Sequence, residues 1–103
     1  MFSIVIPVYN EEDSLNELVE RIEKATKDLH QPYEIVFIND GSTDKSQEVI
    51  DRLASNHNNI GSITFRKNFG KSAALSAGFK HVKYDIIFTM DADLQDDPVE
   101  IPR

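Results

Sequence analysis

Apolar and polar residues along this chain fall into blocks, and the period changes from one block to the next. Residues 3–8 (SIVIPV) are a β-branched run, apolar almost throughout, as expected of a strand buried on both faces. Leu15, Leu18, Val19, Ile22, Ala25 and Leu29 then recur at helical spacing, so one helix face packs inward. Asn10 is expected to cap this helix, with Glu11, Glu12 and Asp13 in its first turn, where carboxylates complement the positive dipole end. Its end is expected near His30, because Pro32 biases Gln31 out of the helical region.

Residues 33–38 (YEIVFI) read as a second strand, followed by a turn at 39–44 (NDGSTD) in which Ser42 or Thr43 is available as the next cap. Val49, Ile50 and Leu53 form the inward face of the following helix. A third, weaker strand is expected over 60–66. After Gly70, a helix rich in small residues (Ala73, Ala74, Ala77, Gly78) suits close packing on a sheet, and 85–90 (DIIFTM) is the fourth strand. Alternation of strands and helices predicts an α/β domain: a Rossmann-like parallel sheet with helices on both faces. In such sheets ligands bind beyond the carboxyl ends of the strands. Those ends carry the most unusual polar segments of the chain: 7–11 (PVYNE), 39–41 (NDG), 66–68 (RKN) and 91–93 (DAD).

Composition narrows the possibilities. The 103 residues allow one small domain, and 40% hydrophobic with 28% charged residues is a globular composition. A formal net charge of −7 argues against a general nucleic-acid binder, which needs a basic face. An acidic protein that holds a phosphate ligand usually needs a bridging cation. No apolar run approaches the roughly 18 residues that span a bilayer, and no signal-peptide pattern follows Met1. With no cysteine, there is neither a disulfide framework nor a thiolate metal site, which suits a cytoplasmic setting. The chain stops at Arg103 just after Asp97 and Pro98, which have the pattern of a helix start. The expectation is therefore that residues 1–103 are part of a larger catalytic domain.

Asp91 and Asp93 are the leading candidates for chemistry. Alternate residues leaving a strand point the same way, so both carboxylates can face one cation, with Gln95 offering a neutral oxygen. An all-oxygen set suits Mg²⁺ or Mn²⁺. A strand-end Asp pair can equally cap the turn that follows it. Asp40 can accept from a base N–H or a ribose hydroxyl, or simply organise its own turn. The Tyr9 ring can stack on a base or ribose, and Glu11 can accept from the same ligand or complement a helix dipole. Lys71, with Arg66 and Lys67 nearby, forms a basic cluster that can meet a diphosphate. Gly70, Lys71 and Ser72 fail as a P-loop, because its first glycine falls at Phe65. The three histidines, His30, His57 and His81, form no metal spacing, and Met90 is expected in the core.

Four ordered segments, 3–11 (SIVIPVYNE), 36–44 (VFINDGSTD), 66–74 (RKNFGKSAA) and 90–98 (MDADLQDDP), resemble the family 2 glycosyltransferases of GT-A fold. The last is similar to that of the dolichyl- and polyprenyl-phosphate sugar transferases (dolichol-phosphate-mannose-synthase-like and GtrB-like). The resemblance covers essentially the whole chain. It implies that Pro7, Tyr9, Glu11, Ile38 and Asp40 hold the nucleoside of a UDP- or GDP-linked sugar. It also implies that Asp91, Ala92, Asp93 and Gln95 surround the metal and diphosphate, with Asp91 and Asp93 catalytic through the metal. Transfer would proceed with inversion to a polyprenyl phosphate or saccharide, in a protein at the cytoplasmic face of a membrane. The second strand of the family usually ends in two aspartates, and here it ends in Asn39 and Asp40, which puts a charge-dependent role at the first position in doubt.

On this reading the chain holds a donor but has nothing to receive the sugar. It is expected to be inactive alone and to self-associate through apolar surface. Three other readings fit less well. A haloacid-dehalogenase-type phosphatase wants Thr or Val where Gln95 stands, with its D-x-D after the first strand. A receiver-like binding module needs a lysine after its acidic pocket, whereas Lys71 precedes it. A sugar nucleotidyltransferase needs a Gly-rich loop after the first strand, and none is present.

Overall fold

A computed structural model of the chain describes residues 1–93. In chain order its elements are β1 (Phe2–Val8), α1 (Leu15–Thr26), β2 (Tyr33–Asp40), α2 (Ser46–Asn56), β3 (Ile60–Phe65), α3 (Lys71–His81) and β4 (Ile87–Thr89). The strands form one sheet in the order β3-β2-β1-β4, and all three pairings are parallel. This is the Rossmann-like sheet expected from the alternation of elements.

The apolar run of β1 has a partner on each face because the side-chain period of a strand is two. Phe2, Ile4, Ile6 and Val8 of β1, with Ile35 and Phe37 of β2, pack against Leu15, Leu18, Val19 and Ile22 of α1 and Val49, Ile50 and Leu53 of α2. Val5 of β1, with Val36 and Ile38 of β2, packs against Ala74 of α3 on the opposite face. Close approach of α3 depends on its small residues: a Cβ on Gly78 would lie 2.4 Å from Val5 Cγ1. The chain thus passes from α1 and α2 on one face to α3 on the other as it crosses from β3 to β4.

Tertiary contacts alter several of the expected boundaries. Asn10 does not cap α1. Its backbone has a φ of 55°, its N–H donates to Ser42 Oγ, and its Oδ1 accepts from the N–H groups of Thr43 and Asp44. Glu11, Glu12 and Asp13 consequently precede the helix, and the acidic residue of its first turn is Glu17. That helix stops at Thr26 rather than near His30, whose φ of 54° belongs to the turn that follows. Ser42 and Thr43 are both engaged with Asn10, so the start of α2 falls to Asp44, whose Oδ1 accepts the Ser46 N–H at 2.9 Å. In the sheet, β2 runs on through Asn39 and Asp40, which the sequence had assigned to a turn. β4 is limited to the three residues that pair with Ser3, Ile4 and Val5.

Candidate functional site

The sheet opens at its carboxyl edge between β1 and β4. Pairing between these strands ends at Val5 and Thr89, so Pro7, lacking an N–H, continues β1 with no β4 residue opposite it. At this switch in strand order a cleft of about 480 Å³ is formed, within the roughly 300–1,000 Å³ typical of ligand pockets. Three strand ends and one loop line it: Pro7, Val8, Tyr9 and Glu11 after β1, Asp40 at the end of β2, Asn68, Gly70 and Lys71 before and at the start of α3, and Asp91, Ala92 and Asp93 after β4.

Most of the residues singled out from the sequence therefore meet in one place. Ile38 does not: it is fully buried against Ala74 and stands outside the cleft lining. Arg66 and Lys67 are also absent from the lining, and Lys67 Nζ lies over the Phe69 ring, 5.2 Å from its centroid. Gln95 lies outside the described residues. Val8, Asn68 and Gly70 also line the cleft; Val8 and Asn68 fall in the strand-end segments 7–11 and 66–68, and Gly70 in the third segment that carries the family resemblance.

Asp91 and Asp93 reach the cleft by a route other than strand alternation. Thr89 is the last strand residue, and Ala92 and Asp93 lie in a turn. Met90 and Ala92 are buried in the core on the α1/α2 face, and Asp91 between them meets Lys71, with Nζ 2.6 Å from Oδ1. The turn is fixed by Ser14, whose hydroxyl donates to the Ala92 carbonyl at 2.6 Å. Burial pushes the Glu11 carboxyl above its usual range, and the negative charge of Asp93 adds to that, as does Asp44; a contact from the Ser14 hydroxyl acts in the other direction. Asp44 titrates below its usual range although burial opposes this, because Ser46 and the Glu12 N–H donate to its carboxylate.

Tyr9 keeps 47% of its surface exposed at the rim, leaving a ring face for stacking. Asp40, 4% exposed, accepts from the N–H groups of Phe69 at 2.7 Å and Gly70 at 3.0 Å. Asn39 points away from the cleft lining: its amide donates to Gln47 Oε1, and its Oδ1 accepts the Ser42 N–H. The side chain at this position acts in loop packing, which uses a donor that an aspartate lacks.

The crowded carboxylates suit a divalent cation. Asp91 and Asp93 offer hard oxygen donors, and the Glu11 carboxyl, raised chiefly by burial, is raised further by the negative charges of Asp93 and Asp44. Among the described residues no three or more His, Cys, Asp or Glu side chains form a ready-made cage.

By fold this is a Rossmann-like α/β unit, with a cleft at the switch point of a parallel sheet, where such sheets bind their ligands. The family model of glycosyl transferase family 2 matches residues 3–103, and the chain belongs to that family. It is 50% identical over 102 residues to the undecaprenyl-phosphate 4-deoxy-4-formamido-L-arabinose transferase of Pseudomonas fluorescens, across 98% of this chain and 30% of that protein. The mannosyltransferase PcManGT from Pyrobaculum calidifontis, solved in complex with GDP-Man and Mn²⁺, superposes with a TM-score of 0.78 at 25% identity, over 89% of this chain and 27% of that one. Glucosyl-3-phosphoglycerate synthase from Mycobacterium tuberculosis, solved with Mn²⁺ and UDP, shares the fold with a TM-score of 0.72 at 22% identity, over 96% of this chain and 36% of that one. The chain thus spans about three tenths of the length of the curated relatives it matches.

Proposed function

We propose that residues 1–103 form the donor-binding part of a glycosyltransferase catalytic domain, which transfers a sugar from a UDP- or GDP-linked donor to a polyprenyl phosphate with inversion. The observation that carries this reading is the meeting of Asp91 and Asp93 with Tyr9, Glu11 and Lys71 in one cleft at the switch point. The undecaprenyl-phosphate transferase relative supports the acceptor class, and the GDP-Man and UDP complexes of the two neighbours support the donor class. No described helix is long and apolar enough to cross a membrane. The proposed setting is the cytoplasmic face of the membrane that holds the lipid acceptor.

In this mechanism Tyr9 stacks on the nucleoside, with Pro7 and Glu11 beside it. Asp91 and Asp93 would hold Mg²⁺ or Mn²⁺, with Gln95 as the proposed third ligand. Such an ion would supply positive charge against the charge developing on the departing nucleoside diphosphate, an effect worth several kcal/mol. Lys71 adds a positive charge on the same side, and Ser14 holds the Ala92 carbonyl so that the acidic turn keeps its place. A polyprenyl phosphate arrives already anionic and so needs no deprotonation before attack. We further propose that the chain alone does not turn over and that its exposed apolar side chains lead it to self-associate.

Calorimetric titration with UDP and GDP, with and without Mn²⁺, tests the reading. Metal-dependent binding of one of them is expected, and Asp93→Ala should abolish it. Binding that is indifferent to the metal, or that survives the substitution, would sink the site assignment.

A further inference from the structure

Lys71 and Asp91 come from different elements and meet in the cleft. Lys71 is the first residue of α3, and Asp91 follows β4 by two positions. The lysine Nζ lies 2.6 Å from Asp91 Oδ1, the short distance of a charge-assisted hydrogen bond. The oxygen it takes belongs to the carboxylate pair that offers a divalent cation its hard donors. Lysine and cation thus compete for one atom.

Two features make the lysine easy to displace. Both partners stay open to water, with 61% of the Lys71 side chain and 37% of that of Asp91 exposed, and exposed pairs of this kind are weak. Lys71 also stands in the first turn of α3, which holds no acidic residue. The positive end of a helix dipole disfavours a cation there, so the helix itself does not hold the ammonium in place. Its backbone, in contrast, is fixed, because Ala74 one turn on packs into the core with Val5 and Ile38. Only the flexible four-carbon stem has to move, and it can swing without disturbing α3.

We propose that Lys71 is an exchangeable counter-ion of the cleft. It neutralises Asp91 while the site is empty, releases Asp91 to a divalent cation, and turns to the diphosphate bound with that cation. The proposal rests on the donor-site reading for its ligands, although the release of Asp91 is open to measurement with metal alone. Its consequence is coupling between the two ligands. With metal alone, the released ammonium loses a partner and gains none. With metal and diphosphate together it gains one, so each ligand raises the affinity of the other by the same factor.

The experiment follows Lys71 in the full chain by NMR relaxation of its isotope-labelled Cε, first without ligand, then with Mg²⁺, then with Mg²⁺ and UDP or GDP. The stem is expected to be ordered, then mobile, then ordered again. Mobility that does not change on adding Mg²⁺, or that persists with the diphosphate, would overturn the exchange.

Calorimetry of Lys71→Met gives a second readout. Affinity for Mn²⁺ alone should rise about two- to fivefold, the scale of one exposed ion pair. Affinity for UDP or GDP in Mn²⁺ should fall about tenfold, the scale of one charge-assisted contact. Lys71→Gln, neutral but polar, should reproduce both shifts. An unchanged or weaker affinity for Mn²⁺ alone in both variants would also overturn the exchange. A wild-type chain that binds Mn²⁺ but neither UDP nor GDP sinks the donor site and the turn to diphosphate, and the Mg²⁺ step alone then decides the release of Asp91. A chain that binds no divalent cation overturns the exchange outright.

Discussion

Glu11 shows how a residue proposed to serve the site can be poorly placed for stability. Its carboxyl is raised by burial first and by Asp93 next, so in the ligand-free protein its charge is a liability. The native state holds this proton more tightly than the unfolded chain. Its favourable contribution is therefore complete below the ordinary value of 4.5 and is lost as pH rises through the higher native value. Glu11→Gln is expected to raise the melting temperature of the ligand-free protein at pH 7, with the gain vanishing as pH falls below 4.5. A variant less stable than wild type at pH 7 would contradict this. Asn10 carries a related lesson, because it is spent on hydrogen bonds to residues 42–44 that no local pattern announces.

At the scale of elements, period and composition were enough to find all seven, while their ends were decided elsewhere. The helical spacing of Leu15, Leu18, Val19 and Ile22 is a local fact, and all four are buried. The start of that helix at Leu15 is a tertiary one, set by Asn10 bonding across to residues 42–44. For α3, the small residues predicted close packing, and Gly78 realises it against Val5. Alanine at position 78 would gain about 1 kcal/mol of helix propensity. Against that, its methyl meets a β-branched side chain in a central strand, an overpacking that costs about 1–3 kcal/mol. Gly78→Ala is therefore expected to lower the urea midpoint, and a higher midpoint would show that α3 can shift without cost.

For the molecule as a whole, the question is what one cleft and four strands suffice to do. The described surface leaves Phe69, Phe79 and Ile86 about half exposed, the apolar groups on which the proposed self-association rests. Two outcomes are expected of the chain alone: no sugar transfer or donor hydrolysis, and a sedimentation coefficient that rises with concentration. Appreciable turnover would mean that the acceptor machinery has been misassigned, and concentration-independent sedimentation as a monomer would remove the self-association.

By itself the sequence determined the alternating elements, the parallel sheet and the acidic pair Asp91 and Asp93, because side-chain period and residue chemistry are local properties. It also marked the strand ends, where polar segments follow buried strands directly, as the place to look for a site. Only the tertiary structure decided which of those residues meet. Ile38 went into the core because its register in β2 turns it toward α3. The Asp91–Asp93 turn closed on Ser14, 78 positions before Ala92, and on Lys71, 20 positions before Asp91, contacts that no spacing rule encodes. The N–H groups of Phe69 and Gly70 and the Asn68 amide reach the Asp40 carboxylate from 28 to 30 residues further along the chain. Contacts of that kind exist only once the sheet has assembled.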